Sequence, residues 1–99
     1  MKNLPTCSVV VPVYNSQSTL NELARRLKIV LDDLCSDYEL ILVNDGSLDA
    51  SWDEIRRLSS EFTWVKGVNM MRNYGQHNAL LCGVRQASFD IVITRSEER

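Results

Sequence analysis

The chain has 99 residues, enough for one domain with a substantial core and too few for a second. Its 11 Lys and Arg residues against 13 Asp and Glu residues give a formal net charge of −2, and the scattered basic residues argue against nucleic acid as a partner. No apolar run approaches the ~20 residues of a membrane span, and no signal-peptide pattern is present, so we expect a cytoplasmic chain without a membrane segment. The three cysteines show no metal-ligand spacing and are expected to be reduced.

Apolar patterning predicts four strands that alternate with three helices. The strands are β-branched runs with little polar alternation at residues 7–14, 38–43, 64–70 and 90–94. The first helix spans about 18 residues and ends near Leu34, the second covers 48–62, and the third covers 79–87. Helical connections between consecutive strands imply right-handed crossovers and parallel pairing. We therefore expect a Rossmann-like, three-layer α/β/α fold with a mostly parallel four-stranded sheet, open at both sides.

Individual residues predict where some of these strands and helices lie in the fold. Lys66 and Gly67 suggest that the third strand lies near or at a sheet edge. Helical spacing predicts that Leu48 and Trp52 face the core from the second helix. The third helix is apolar nearly all round and is expected to be buried, with Gly83 permitting close backbone packing.

Three polar loops follow the first three predicted strands. They are Pro12-Val13-Tyr14-Asn15, Asp45-Gly46-Ser47 and Arg72-Asn73-Tyr74. Open α/β sheets bind ligands beyond the carboxyl ends of their strands, so the loops are expected to form one crevice. An aromatic ring, a carboxylate that accepts hydrogen bonds from a ribose or base, and an arginine suited to a diphosphate favour a nucleotide. The residues equally allow Asp45-Gly46-Ser47 to be only a turn and helix cap.

Two common nucleotide-binding motifs are missing from the sequence. No G-x-G-x-x-G follows the first strand, and there is no G-x-x-x-x-G-K-S/T. Dinucleotide oxidoreductases and P-loop hydrolases are therefore disfavoured.

Segments 8–15 (SVVVPVYN) and 43–49 (VNDGSLD) resemble the amino-terminal half of inverting family 2 glycosyltransferases, which have the GT-A fold. Segment 72–79 (RNYGQHNA) resembles, more narrowly, the branch that moves a sugar from a nucleotide donor to a polyprenyl phosphate. That branch includes dolichyl-phosphate mannose synthase and the undecaprenyl-phosphate aminoarabinose transferases. The resemblance extends over residues from about 7 to 94.

The resemblance implies a transferase whose donor is a nucleotide-sugar, with UDP as the expected carrier, and whose acceptor is a polyprenyl phosphate or another cell-envelope glycan. The full-length form is then expected at the cytoplasmic face of the membrane. Asp45 matches the aspartate that binds the uracil or ribose, and Arg72 matches a basic residue near the nucleotide. The residues that match the loop lining the nucleotide pocket are Pro12, Val13, Tyr14 and Asn15. Ser16 and Asn44 depart from the acidic residues of many relatives, which leaves the donor open.

The carboxyl terminus departs from the family pattern. In the family, the strand that matches 90–94 leads into an Asp-x-Asp motif that holds Mg²⁺ or Mn²⁺, whereas here the sequence continues Arg95-Ser96-Glu97-Glu98-Arg99. We therefore assign 1–94 to the nucleotide-sugar-binding half of a GT-A domain and 95–99 to a tail outside the family. No catalytic or metal-binding residue is assigned, and the chain alone is expected to transfer no sugar. An unpaired sheet edge predicts a homo-oligomer.

The sequence leaves two alternatives from other classes of protein. A non-catalytic nucleotide-binding module would use Asp45 and the Tyr14 loop without an Asp-x-Asp motif. A receiver-like domain needs an acidic pair after the first strand, where this chain has Tyr14-Asn15, and is disfavoured.

Overall fold

The computed structural model describes residues 4–95, and within them it contains the predicted alternation of strands and helices. The element bounds differ from the predicted ones by up to three residues, the first helix having 15 residues rather than about 18. The elements are β1 Thr6–Val13, α1 Leu20–Leu34, β2 Asp37–Asp45, α2 Ser51–Glu61, β3 Val65–Met70, α3 Gln76–Arg85 and β4 Ile91–Thr94.

The strands form one sheet in the order β3-β2-β1-β4, and each neighbouring pair is parallel. Val9 of β1 lies opposite Leu40 of β2 and Ile93 of β4. The prediction that β3 lies at an edge is confirmed, and β4 forms the other edge. The backbone N–H of Arg95 donates to the carbonyl of Val10 at 2.9 Å, so β1–β4 bonding continues one residue beyond β4. Residues 96–99 of the predicted tail lie outside the described part.

Two apolar clusters lie on opposite faces of the sheet, because successive side chains of a strand point in opposite directions. Val9, Val11 and Val13 pack in the cluster that includes α1 and α2 side chains. Val10 belongs to the cluster that includes Ala79 of α3. Helices on both faces confirm the three-layer α/β/α architecture.

The prediction that the third helix is buried all round is wrong. Ala79 and Gly83 are buried, but Leu81 is 45% exposed and Val84 is 39% exposed. Since α3 is the helix that covers this face among residues 4–95, its side chains directed away from the sheet have no second layer over them. The close approach predicted for Gly83 is confirmed, since a Cβ there would lie 2.3 Å from Val10 Cγ1.

The predicted core position of Leu48 is also wrong. Helix α2 begins at Ser51, and Leu48 lies in the preceding loop with 87% of its surface exposed. Trp52 does pack against the core, as predicted. None of the described helices has both the length and the apolar character needed to cross a membrane.

Candidate functional site

The three predicted loops meet at the carboxyl end of the sheet and surround an open crevice. Its volume is about 520 Å³, within the range of small-molecule sites. The residues that line it come from all three loops and from the adjoining ends of β2, β3 and α2. They are Tyr14, Asn44, Gly46, Ser47, Leu48, Trp52, Asn69, Met70, Met71, Arg72 and Asn73.

The first and second loops are joined by a reciprocal pair of hydrogen bonds. The Asn15 N–H donates to Ser47 Oγ at 3.0 Å, and the Leu48 N–H donates to Asn15 Oδ1 at 2.7 Å. Asn15 has a φ of 50°, a left-handed conformation that asparagine tolerates better than most residues. Asn15 therefore sets the distance between the two loops.

A second set of hydrogen bonds connects the first loop to the start of α2. The Ser16 N–H donates to Ser51 Oγ at 2.9 Å, and the Gln17 N–H donates to Asp49 Oδ2 at 3.3 Å. Asp49 Oδ1 also accepts from the Ser51 N–H at 2.9 Å. Burial tends to raise the pKa of Asp49, but hydrogen bonds from Ser51 and Gln17 outweigh it and lower that pKa. Asp49 is therefore a fixed anion that holds these loops together.

The third loop lies directly on the second. The Asp45 side chain is fully buried, and its Oδ1 accepts a hydrogen bond from the Tyr74 N–H at 2.8 Å. Gly46 has a φ of 67°, and a Cβ on it would lie 2.3 Å from Asn73 N and 2.5 Å from Arg72 C. Only glycine allows this approach without displacing backbone. Asp45 and Gly46 thus position the third loop.

Arg72 supplies a cation at the mouth of the crevice. Its Nε donates to the Tyr74 hydroxyl at 3.1 Å, and its guanidinium carbon lies 5.3 Å from the Tyr74 ring centroid. The hydrogen bond with Tyr74 raises the pKa of Arg72. Both side chains are exposed, so the planar guanidinium is accessible to an anion.

The structure places the six predicted site residues in three settings. Tyr14 and Arg72 line the crevice, while Asn15 and Asp45 connect its loops. The remaining pair, Pro12 and Val13, are buried inside β1 and do not line it. A direct role of any of the six in ligand binding stays a prediction.

Several lining residues were not identified from the sequence. Asn69 ends up beside Asn44, whose Nδ2 donates to Asn69 Oδ1 at 2.8 Å, because β2 and β3 pair in register. Met71 is 89% exposed at the mouth. The sequence signal that could have identified Asn69 as a crevice residue is its position near the carboxyl end of a predicted strand. Trp52 was assigned to packing alone, yet it also forms part of the wall.

The described residues contain no cluster that could hold a metal ion by protein side chains alone. Among residues 4–95, no three His, Cys, Asp or Glu side chains lie close enough together to hold an ion. Glu97 and Glu98 fall outside that range.

The sequence of this chain matches a known protein family. The family model described as glycosyl transferase family 2 matches residues 8–95. The chain belongs to this family. A family 2 relative, the undecaprenyl-phosphate 4-deoxy-4-formamido-L-arabinose transferase of Shewanella sediminis, is 39% identical over 94% of this chain. The transferase of the same name from Aeromonas hydrophila is 44% identical over 88% of it. The matches span 28% and 27% of those relatives' lengths, so the chain corresponds to under a third of each.

Solved structures show the same GT-A fold. S. aureus TarS 1-349 in complex with UDP has a TM-score of 0.77 at 24% identity, over 92% of this chain and 27% of that one. Glucosyl-3-phosphoglycerate synthase from Mycobacterium tuberculosis, in complex with Mn²⁺, UDP and phosphoglyceric acid, has a TM-score of 0.69 at 27% identity. This match covers 93% of this chain and 32% of the synthase chain. Members of the fold thus bind UDP and a divalent metal.

Proposed function

We propose that the crevice binds the nucleoside diphosphate of a nucleotide-sugar, and that the chain is the donor-binding region of a glycosyltransferase. The observation that carries the proposal is the meeting of three loops at the carboxyl end of the sheet in a family 2 chain. The two structural neighbours described above are complexes with UDP, which favours UDP as the carrier.

Tyr14 and Arg72 supply the chemistry that such a ligand requires. An aromatic ring offers a flat apolar face to a nucleobase, and a guanidinium forms two parallel hydrogen bonds with phosphate oxygens. Both side chains line the crevice, and both keep exposed surface. We assign the base to the Tyr14 side and the diphosphate to the Arg72 side.

We assign Asp45 to binding of the uracil or ribose, on the condition that the third loop changes its conformation. Its carboxylate is buried under the third loop and bonded to the Tyr74 N–H. A ligand reaches this carboxylate only when the segment from Arg72 to Tyr74 moves away. The carboxylate then accepts a hydrogen bond from a ribose hydroxyl or a base N–H, which offsets the loss of the bond to Tyr74.

The complete enzyme, we propose, transfers the sugar to a polyprenyl phosphate or another cell-envelope glycan acceptor. The proposal draws on the names of the relatives, whose acceptor is undecaprenyl phosphate. We propose that the complete enzyme works at the cytoplasmic face of a membrane, where a lipid acceptor and a water-soluble donor can meet. We propose that the complete enzyme uses a divalent ion, Mn²⁺ or Mg²⁺, because a structural neighbour is a complex with Mn²⁺.

Isothermal titration of the purified chain with UDP, with and without Mn²⁺, tests the binding proposal. The informative variant is Asp45→Ala, and Asp37→Ala is its matched control, because the two aspartates lie at opposite ends of β2. We expect the parent and Asp37→Ala to bind UDP equally. Asp45→Ala is expected to bind about 10- to 100-fold more weakly, the effect of losing a hydrogen bond to a charged group. Equal binding by both variants, or none by the folded parent, would contradict the proposal.

The chain by itself is proposed to bind nucleotide without transferring sugar. Among residues 4–95, no three His, Cys, Asp or Glu side chains cluster to hold a divalent ion, which supports this proposal. A transfer assay with UDP-sugars and a short polyprenyl phosphate tests this point, and product formed by the purified chain would refute it.

We propose that the chain self-associates through the β4 edge. Strand β4 pairs with β1 on one side, and its Ile91 and Ile93 are 47% and 44% exposed. No charged residue interrupts this strand, which leaves it open to pairing with a second copy.

Sedimentation velocity at micromolar concentration should show a dimer or larger species for the parent. Ile93→Lys should give a monomer, whereas Leu81→Lys, a matched change on exposed α3, should not; a monomeric parent would contradict the proposal.

A further inference from the structure

Two cysteine side chains on the α1 side of the sheet lie within reach of each other. Cys7 is near the start of β1, Cys35 directly follows α1, and their Sγ atoms are 3.1 Å apart. Both are free thiols. A disulfide needs a sulfur separation of about 2.05 Å, so the sulfurs must approach by only about 1 Å.

The backbone around the two cysteines is already joined. The Ser36 N–H donates to the carbonyl of Pro5 at 2.9 Å, and Ser36 Oγ donates to the carbonyl of Leu4 at 3.0 Å. These bonds connect the residue after Cys35 to the segment just before Cys7. Side-chain rotation, rather than a rearrangement of the chain, therefore brings the sulfurs together.

A groove between α1 and β4 leads to the pair. Both cysteines lie in its wall, although they are only 3% and 6% exposed. The rest of the wall is mainly apolar, with Val30 and Leu34 from α1 and Ile91 from β4. Such a route admits a small neutral oxidant more readily than a charged one.

We propose that Cys7 and Cys35 are a dithiol site that a peroxide converts into an intramolecular disulfide linking the start of β1 to the end of α1. One thiolate attacks a peroxide oxygen, the O–O bond breaks, and a sulfenic acid forms as hydroxide leaves and takes up a proton to become water. The second sulfur then attacks the sulfenic sulfur, the S–O bond breaks, and a second water leaves. Two thiols lose two electrons in total, and one hydrogen peroxide is reduced to two waters.

Ionisation of the thiols sets the rate of this reaction, because the thiolate is the nucleophile. Burial, together with the hydrogen bond to Cys7, raises the pKa of Cys35 to about 11. Cys35 therefore remains a thiol at neutral pH. We expect slow formation of the disulfide at pH 7 and faster formation as the pH rises.

Cys82 provides an internal control within the same chain. It packs against the cluster on the opposite face of the sheet, which includes Val10 and Ala79, and it is only partly buried. The sheet separates Cys82 from the other two cysteines. Of the three possible disulfide pairs among these cysteines, the native fold thus allows only Cys7–Cys35.

The test exposes the folded chain to hydrogen peroxide, alkylates the remaining thiols and analyses the products by intact mass and peptide mapping. A Cys82→Ser variant removes linkages between molecules. We expect a loss of two hydrogen atoms, a linked peptide pair containing Cys7 and Cys35, and an unmodified circular dichroism spectrum. The linked form should melt at a higher temperature, because a disulfide restricts the unfolded chain.

A second variant examines the order of steps. In Cys35→Ala, the sulfenic acid of Cys7 has no partner and should accumulate as a dimedone adduct, which the parent forms only transiently. The proposal is overturned if the parent keeps both thiols under peroxide while Cys82 reacts. It is equally overturned if either cysteine links to Cys82, or if the Cys7–Cys35 bond forms only in urea. None of these outcomes depends on nucleotide binding.

Discussion

Strand β2 carries one buried carboxylate near each end, and the two have different surroundings. Glu39, near the amino end, is 4% exposed and forms an ion pair with Lys66, whose Nζ lies 2.6 Å from Glu39 Oε1. Asp45, at the carboxyl end, is fully buried and accepts a hydrogen bond from the backbone of the third loop. Burial alone therefore does not distinguish the two carboxylates, whereas their hydrogen-bond partners do.

The carboxylate of Glu39, near the amino end of β2, has hydrogen-bond and ion-pair partners from several elements. Glu39 Oε2 accepts from Ser8 Oγ and from the Ser88 N–H, each at 2.6 Å. Ser8 Oγ in turn accepts from the Phe89 N–H at 3.2 Å. The network joins β1, β2, β3 and the α3–β4 connection. Glu39 therefore serves to hold the sheet and this connection together.

Removing the amino-end carboxylate should have the largest effect on stability. Glu39→Ala deletes an ion pair and two hydrogen bonds and leaves the Ser88 N–H without its acceptor, so we expect a loss of about 3 kcal/mol in the free energy of unfolding. Asp37→Ala, at an exposed position of the same strand, should cost far less. Urea denaturation measures both, and equal losses would show that the network is not structural.

A substitution at Gly46 tests the carboxyl end of β2 by the same measure, the free energy of unfolding. Gly46→Ala adds a Cβ at a φ of 67° and against the backbone of Asn73, so we expect a loss of about 2 kcal/mol and weaker UDP binding. Gly67→Ala is the comparison, because Gly67 does not have a left-handed φ and the nearest atoms to its Cβ belong to the side chains of Ile55 and Trp52 rather than to backbone. If the two glycine variants lose the same stability, the third loop does not pack on Gly46 as described.

The contribution of Glu39 to the pH dependence of stability is isolated by comparing the parent with Glu39→Gln. Burial tends to raise its pKa, but Lys66, Ser8 and Ser88 outweigh burial and lower it below the ordinary value of 4.5. A lowered pKa in the folded state contributes stability that is present above the ordinary value and is lost as the pH falls through the folded-state pKa. The stability difference between the parent and Glu39→Gln should shrink in acid. A difference independent of pH between 7 and 3 would contradict this assignment.

Sequence reasoning recovered the fold because the apolar runs and helical spacings are local signals. It did not find the Glu39 network, since its partners Ser8, Lys66 and Ser88 are far apart in the chain and meet only through the strand order. It also overestimated the burial of α3, because apolar composition does not reveal how many layers cover a helix. At the crevice, the loops were predictable from strand ends, whereas the burial of Asp45 depends on the approach of the third loop to Gly46.

The smallest effect is expected at the mouth of the crevice. Tyr74→Phe removes the hydroxyl that Arg72 Nε contacts but keeps the ring and the backbone N–H bonded to Asp45. Both side chains are exposed, so the loss of stability should be under about 0.5 kcal/mol. UDP affinity should change by less than about threefold, since Arg72 remains available to the diphosphate. Calorimetry and urea denaturation check both values, and a loss above about 1 kcal/mol would mean that this contact orders the loop.

The most direct test of nucleotide binding at the carboxyl end is a ¹H–¹⁵N correlation spectrum of the labelled chain during titration with UDP. We expect shifts for the amides of Tyr14, of residues 46–48 and of Tyr74, whose N–H exchanges its bond to Asp45 for solvent when the third loop moves. The amides of Glu39 and Ser88 should stay unchanged. Shifts that cluster at Glu39 and Ser88, or no shifts in a folded chain, would contradict it.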